Sequence, residues 1–365
     1  MSEIIYDNMG PAKVIRLYSA KEGFQAVVVI DNCALGPAIG GVRVSATVTV
    51  DEVLRLARTM TLKNSIAGLP HGGAKAGIMV DPSRPDKERL FRVFARMIRD
   101  LQEYIPGPDL GCDETAMAWI HDETGRSVGL PTELGGLPLD KLGATGFGIA
   151  ACAEVAAPFA GFELAGATVA IGGFGSVGKA AARFLAAKNA IIVAVSDSRG
   201  AVYNPVGLDV DKLIEAKQHA GSIADSGLGK GITAEELFVV ECDILIPAAT
   251  ADVIHEGNLA GVKARLILEG ANIPVTRRAE EILHDRGILI VPDFICNAGG
   301  VIMAAMEYAG RNEQQAFAAI NERIRNNTRI ILEQSFATQP GLQPRLAADT
   351  LARERVIKAM AYRDY

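Results

Sequence analysis

Reactive and metal-binding residues are scarce in this sequence, and that scarcity excludes several classes of protein. Among 365 residues there are five cysteines and five histidines. The cysteines (Cys33, Cys112, Cys152, Cys242 and Cys296) are widely spaced, odd in number and never paired as C-x-x-C. Neither a disulfide framework nor a thiolate zinc site is expected from them. The histidines also lack metal-ligand spacing, so no metal is expected. Acidic and basic residues are interspersed and sum to a net charge of −6. With no basic block and no low-complexity tail, nucleic acid is not an expected partner. No apolar run reaches the length of a bilayer span, and no basic segment followed by an apolar run opens the chain. No membrane association is expected, and cytoplasmic residence is the default expectation.

What is abundant is glycine, with 38 residues, and hydrophobic residues, at 49%. This is the composition of an α/β protein long enough for two domains and a large core. Strands are expected at Lys13–Tyr18 and Gln25–Ile30, around a Lys21-Glu22-Gly23 turn. A helix is expected from Asp51 as N-cap, then a Gly72-Gly73 loop and a short strand Ala76–Val80. Asp86–Tyr104 and residues 114–125 read as further helices. After Gly143 the pattern alternates, with strands at Thr168–Ile171, Ala190–Ser196, Ile244–Ile246, Leu266–Leu268 and Leu289–Val291. Such alternation predicts a doubly wound parallel sheet with helices on both faces. The expected organisation is therefore an N-terminal α/β substrate domain with a mixed sheet (1–140) and a Rossmann-type dinucleotide domain (143–300). C-terminal helices (301–365) are expected to pack back over the cleft or the first domain.

The run Gly173-Phe174-Gly175-Ser176-Val177-Gly178 is a G-x-G-x-x-G turn between an expected strand and an expected helix. Asp197 follows nineteen positions after the last glycine, at the end of the next strand. In that context the triplet is a dinucleotide-binding signature. Gly173 permits the tight turn, Gly175 lets the backbone approach a pyrophosphate, and Gly178 permits close helix–strand packing. The helix N-terminus presents free N–H groups to the phosphates. Asp197 is expected to accept from ribose hydroxyls, which favours NAD. Ser198 and Arg199 follow it, and the arginine is either a solvated turn residue or a ligand for the 2′-phosphate of NADP.

Two lysines stand twelve positions apart in Thr61–Ile78. Lys63 lies on the expected helix, seven residues after Leu56, so it points with the apolar stripe toward the interior. A buried lysine needs a negative partner or a wet pocket, and a substrate carboxylate would serve. Lys75 lies in the expected glycine-rich loop. Asp109, after Pro108, reads on its own equally as a turn cap.

Taken together these segments resemble the glutamate/leucine/phenylalanine/valine dehydrogenase family over nearly the whole chain. The resemblance is carried by Gly36–Arg43, the two-lysine segment, Gly107-Pro108-Asp109-Leu110-Gly111, Ala144-Thr145-Gly146, Glu269-Gly270-Ala271-Asn272 and Pro292–Val301. It implies reversible oxidative deamination of an L-amino acid to a 2-oxo acid and ammonia, with NAD or NADP as acceptor. It makes Lys63 the ligand of the substrate α-carboxylate, Lys75 the catalytic lysine that activates water, and Asp109 the proton shuttle to the amine. To act as a base Lys75 must shed its proton, which burial and a neighbouring ammonium both favour. Thr145, Ser176, Val177, Ala249, Thr250, Asn272 and Asn297 resemble positions near cofactor or substrate. A homo-oligomer, hexameric or octameric, is implied as well.

Two departures bear on the substrate. Ile39 and Ala304 stand where glutamate-specific members carry the Lys and Ser that hold the distal carboxylate. With Gly40 they are expected to border an apolar side-chain pocket. His71 either lines that pocket or is a packed, hydrogen-bonded loop residue. The expected substrate is therefore a branched-chain or aromatic amino acid. The alternatives are a glutamate dehydrogenase with a different distal-carboxylate site, and a catalytically inactive dinucleotide-binding regulator.

Overall fold

Lys13–Ser19 (β1) and Phe24–Asn32 (β2) form an antiparallel hairpin as expected, closed by a turn in which Gly23 takes a left-handed φ of 65°. They open the first of two units in the computed structural model, which describes residues 5–337 and 341–363. This unit comprises residues 1–139, 301–319 and 349–365. Its sheet continues with Ala38–Val44 (β3), Gly72–Met79 (β4) and Tyr104–Gly107 (β5), in the order β1-β2-β4-β3-β5. β4 runs antiparallel to β2 and parallel to β3, which is parallel to β5, so the sheet is mixed as anticipated.

The expected Gly72-Gly73 loop is instead the start of β4, a central strand, and its neighbour β3 is glycine-containing as well. Lys75 therefore sits on β4, not in a loop. Glycine depresses strand propensity in sequence, but here close backbone approach requires it. A Cβ on Gly73 would lie 2.0 Å from the Thr61 backbone nitrogen, in the helix Val50–Ile66 packed across the strand. On Gly40 of β3 it would lie 1.7 Å from the Ala74 carbonyl oxygen. The helix Val50–Ile66 is capped by Thr49, whose hydroxyl accepts from Glu52 N at 3.2 Å, and not by Asp51. Its buried face is Val53, Ala57, Thr61 and Asn64, and Lys63 is buried beside it.

The helix from Asp86 ends at Met97, well before Tyr104. The buried Arg126 explains the early stop. Its guanidinium donates to the carbonyls of Ile98, Arg99 and Leu101 (2.8–2.9 Å) and to that of Tyr104 (3.0 Å). It thus satisfies carbonyls at the helix end and frees Tyr104–Gly107 for the sheet. Phe91 and Phe94 of that helix join Val28, Ile30, Val42 and Ile78 in the core.

The second unit comprises residues 140–300 and 320–348. Its strands are Thr168–Gly172 (β6), Ile191–Asp197 (β7), Gly200–Tyr203 (β8), Lys230–Ile232 (β9), Ile244–Pro247 (β10), Leu266–Leu268 (β11) and Leu289–Val291 (β12). They are ordered β12-β11-β10-β6-β7-β8-β9. The five from β12 to β7 are parallel, as expected of a doubly wound fold. β8 and β9 are antiparallel additions, so this sheet is mixed too, contrary to an all-parallel reading. Ser198 and Arg199 are the two-residue turn of the β7–β8 hairpin, since Asp197 pairs with Gly200. The C-terminal segment is divided: 301–319 and 349–365 belong with the first unit and 320–348 with the second. Among the described residues, no helix is long and apolar enough to cross a membrane.

Candidate active site

The first unit brings Lys75 and Asp109 into contact. Lys75 leaves the middle of β4, and Asp109 lies two residues past the end of β5. Gly41 of β3 separates the two strands, and its missing side chain makes the room. A Cβ there would lie 2.8 Å from the Asp109 Cβ and 3.2 Å from the Lys75 ammonium. In that space Lys75 Nζ stands 2.8 Å from Asp109 Oδ2. Lys75 is 7% exposed.

The carboxylate is held from its other side by Arg43, with Nε 3.0 Å from Oδ2 and Nη2 3.4 Å from Oδ1. Arg43 is in turn fixed by Glu52, at 2.6 Å. Burial raises the Asp109 pKa, but the Lys75 and Arg43 charges outweigh it and hold the carboxyl below its usual range. Cys112 buttresses the turn, accepting from Asp109 N at 3.3 Å and donating to the Val42 carbonyl at 2.9 Å. Asp109 is therefore an ion-pair partner and not a turn cap. The neighbour of the Lys75 ammonium is this carboxylate, where a second ammonium had been anticipated. A proton can pass directly across the 2.8 Å contact. Arg43 and Glu52 carried no assigned role in the sequence. The only signal for Arg43 was its place at the end of the Gly36–Arg43 run.

Lys63 is buried, in the last turn of the helix that covers β4. Ile39 and Ala304 are buried as well. His71 is packed edge-on against Tyr308, with ring centroids 5.7 Å apart, and Nδ1 is 3.0 Å from the Pro37 carbonyl. Burial lowers its pKa, against the opposing pull of that carbonyl.

The second unit carries a crevice of about 800 Å³ at the carboxyl ends of its strands. Gly173, Gly175, Ser176, Val177, Asp197, Ser198, Ala249 and Thr250 all line it. The three glycines fit a dinucleotide. Gly173 has a φ of +114°, and a Cβ on Gly178 would lie 1.8 Å from the Gly173 carbonyl oxygen, so helix and turn are in close contact. Around Gly175 a Cβ would meet nothing within 4 Å, which leaves its backbone open to an approaching phosphate. Ser176 begins the helix Ser176–Ala186, whose N-terminal N–H groups face this turn. Thr145 lies in the first turn of the helix Ala144–Phe159. Asn297 Nδ2 donates to Asn272 Oδ1 at 3.2 Å, which joins the two as one edge; they and Thr145 are not among the residues that line the crevice.

Asp197 is fully engaged by the protein. Oδ2 accepts from Lys217 Nζ at 2.7 Å and Ile223 N at 2.9 Å. Oδ1 accepts from Arg199 N at 2.9 Å and Ser222 Oγ at 3.1 Å. Burial opposes these bonds, but together they bring the carboxyl down to about 2. Arg199 pairs with Asp225 at 2.9 Å. Lys217 also lines the crevice; sequence reasoning passed over it because it comes twenty residues after Asp197, on a separate helix, Val210–Ala220.

The class of the protein comes from comparison with known proteins. The model for "Glutamate/Leucine/Phenylalanine/Valine dehydrogenase" matches residues 135–364, and that for "Glu/Leu/Phe/Val dehydrogenase, dimerisation domain" matches residues 12–126. The chain is 40% identical over 360 residues to a glutamate dehydrogenase of Aeropyrum pernix, covering 92% of this chain and 85% of that protein. It is 41% identical over 357 residues to an NADP-specific glutamate dehydrogenase of Saccharolobus shibatae, covering 91% and 83%. Among solved structures, a hetero-hexameric glutamate dehydrogenase of Thermus thermophilus in a leucine-bound form superposes with a TM-score of 0.85 at 32% identity, covering 96% of this chain and 90% of that one. The L-tryptophan dehydrogenase of Nostoc punctiforme does so with a TM-score of 0.73 at 26% identity, covering 96% and 97%.

The class is thus amino acid dehydrogenase. The chain belongs to the glutamate/leucine/phenylalanine/valine dehydrogenase family.

Proposed function

We propose that this chain catalyses the reversible oxidative deamination of glutamate to its 2-oxo acid and ammonia, with NAD or NADP as acceptor. The observation that carries the substrate is near-full-length identity of about two in five residues with relatives named glutamate dehydrogenase. In this reading the Lys63 ammonium holds the substrate α-carboxylate. Lys75 takes a proton from the attacking water and stabilises the oxygen that forms on the substrate carbon. Asp109 moves a proton to and from the amine, with Arg43 fixing its position and Lys75 in direct contact to exchange protons. A bound nicotinamide dinucleotide supplies hydride acceptance and donation at the substrate Cα. Thr145, Ser176, Val177, Ala249, Thr250, Asn272 and Asn297 are the residues proposed to hold it. The assembly is proposed to be a homo-oligomer formed through the segment matching the dimerisation domain, residues 12–126.

A second reading, an apolar amino acid substrate, is favoured by Ile39 and Ala304, both buried and neither able to meet a distal carboxylate. A carboxylate left unpaired against such walls loses several kcal/mol, so glutamate requires other groups to hold it. Turnover of glutamate, leucine, valine and phenylalanine decides between the two. The expected result is a kcat/KM for glutamate at least about tenfold above the others. Leucine or phenylalanine overtaking glutamate would establish the second reading.

Both dinucleotides are proposed as acceptors. Asp197 is neutralised by Lys217, which weakens the like-charge objection to a 2′-phosphate. Replacing Lys217 with Met removes that compensation at the rim of the crevice. KM for NADP is expected to rise about tenfold, with a much smaller change for NAD. Equal changes in the two KM values would remove Lys217 from nucleotide choice.

A further inference from the structure

The second unit contains a buried ionic cluster that the proposed chemistry does not use. Arg345, 6% exposed, stands among three carboxylates. Its Nη2 contacts Glu269 Oε2, its Nε lies 2.5 Å from Glu280 Oε2, and its Nη1 lies 3.1 Å from Asp293 Oδ1. One cation against three carboxylates leaves an excess of negative charge in a buried site. The second oxygens of Glu269 and Glu280 have no hydrogen-bond partner among the described residues. Such an arrangement is costly unless a carboxyl keeps its proton. Burial pushes Glu269 up to about 8; Arg345 opposes this, and Asp293 and Glu280 add to it.

The cluster lies directly behind the Asn272–Asn297 edge. Glu269 is the first residue past β11, and Asp293 comes two residues past β12. Glu269 Oε2 accepts from Asp293 N at 2.9 Å, and Asp293 Oδ2 accepts from Ile273 N at 3.1 Å. Ile273 takes a left-handed φ of 49° although it is β-branched and 46% exposed. Its own side-chain packing does not hold it there; two hydrogen bonds do, one from its N–H to Asp293 and one that its carbonyl accepts from Asp252 N at 3.0 Å. Ile273 immediately follows Asn272. Asn297, whose backbone N–H bonds the Asp293 carbonyl at 2.9 Å, closes the same turn through Asn272 Oδ1.

We propose that Arg345 is a positioning residue for the cofactor. By holding Asp293 against the strained Ile273 turn, it fixes the Asn272–Asn297 edge on which the nicotinamide half of the dinucleotide rests. This rests on the reading that those two asparagines border the cofactor. The charged groups facing Glu269 are Arg345, Asp293 and Glu280. With its folded pKa raised from 4.5 to about 8, Glu269 contributes stability that is fully present below about 4.5 and lost as pH rises through about 8.

The test uses the full-length enzyme carrying Asp293→Asn, Arg345→Lys or Glu269→Gln, with Asn297→Ala as control. NAD(P)H binding is followed by nucleotide fluorescence. Asp293→Asn is isosteric, so it carries the test if Arg345→Lys does not fold. It is expected to weaken NAD(P)H binding about tenfold and to lower kcat, with the amino acid KM moving less than about twofold. Arg345→Lys, where it folds, is expected to act in the same direction, and Glu269→Gln to flatten the decline in stability between about pH 4.5 and 8, read as Tm against pH. If Asp293→Asn lowers Tm but leaves nucleotide affinity and kcat within about twofold, the cluster is structural only and the inference falls. If Asn297→Ala itself binds NAD(P)H normally, the placement of the cofactor beside Asn297 falls, and the inference with it. A weakened Asn297→Ala beside an unaffected Asp293→Asn overturns the inference alone.

Discussion

Replacing Lys75 with alanine is expected to lower kcat/KM by about 10³-fold or more while leaving NAD(P)H binding intact. The size of the effect follows from two facts about the side chain. It is buried on a central strand, and its ammonium is 2.8 Å from Asp109. Its removal takes away the only amine expected to activate water, and it leaves Asp109 paired to Arg43 alone among the contacts described above. A positioned acid–base group contributes about 10²–10⁴ in rate, and loss of the proton partner adds to that. Nucleotide affinity is expected to persist because the glycine turn belongs to the other unit. Steady-state assays with fluorescence titration of NAD(P)H check both halves. A variant that keeps a tenth or more of the parental turnover would remove Lys75 from the chemistry.

Gly41→Ala is expected to be nearly as damaging, although it adds a single methyl. That methyl would lie 2.8 Å from the Asp109 Cβ and 2.9 Å from the Pro108 carbonyl oxygen, so Asp109 or its turn has to move. Because β3 is held by both β4 and β5, the strand cannot yield easily. The expected result is a loss of about 10²-fold in kcat, since displacing a reacting group by about 1 Å costs that much. Overpacking a buried strand costs a further 1–3 kcal/mol or so of stability. Measuring kcat alongside Tm separates the two effects. Turnover within about threefold of the parent would mean that the Lys75–Asp109 pair tolerates displacement and does not need the geometry described.

Elements with strong periodicity were legible in the sequence. The β1–β2 hairpin, the helix Glu114–Thr124 and the short apolar strands β11 and β12 fall where alternation and turn residues place them. So do the glycine turn at Gly173–Gly178 and the helix that follows it. The start of β4 reads as a loop because Gly72 and Gly73 signal a turn locally, whereas the helix backbone across β4 is what requires Gly73, as the Ala74 carbonyl beside β3 requires Gly40. The helix ending at Met97 reads too long because Arg126, the residue that satisfies the carbonyls just past its end, lies nearly thirty positions away.

The site shows the same division. Lys63 and Lys75 stand out by residue type and setting, and the family resemblance adds Asp109 and gives all three their expected roles; burial of both lysines agrees with the glycine and apolar residues around them. The cations that hold the carboxylates from elsewhere in the chain were not legible. Arg43 meets Asp109 across 66 positions, Lys217 meets Asp197 across 20, and Arg345 meets Glu269 across 76. By itself the sequence determined the family and the strand–glycine turn–helix at Gly173–Gly178, and it singled out the residues proposed to react, because these reside in contiguous segments whose backbone demands are local. Only the tertiary structure decided which charges neutralise one another, because strand order and helix packing, not spacing along the chain, bring each carboxylate to its cation.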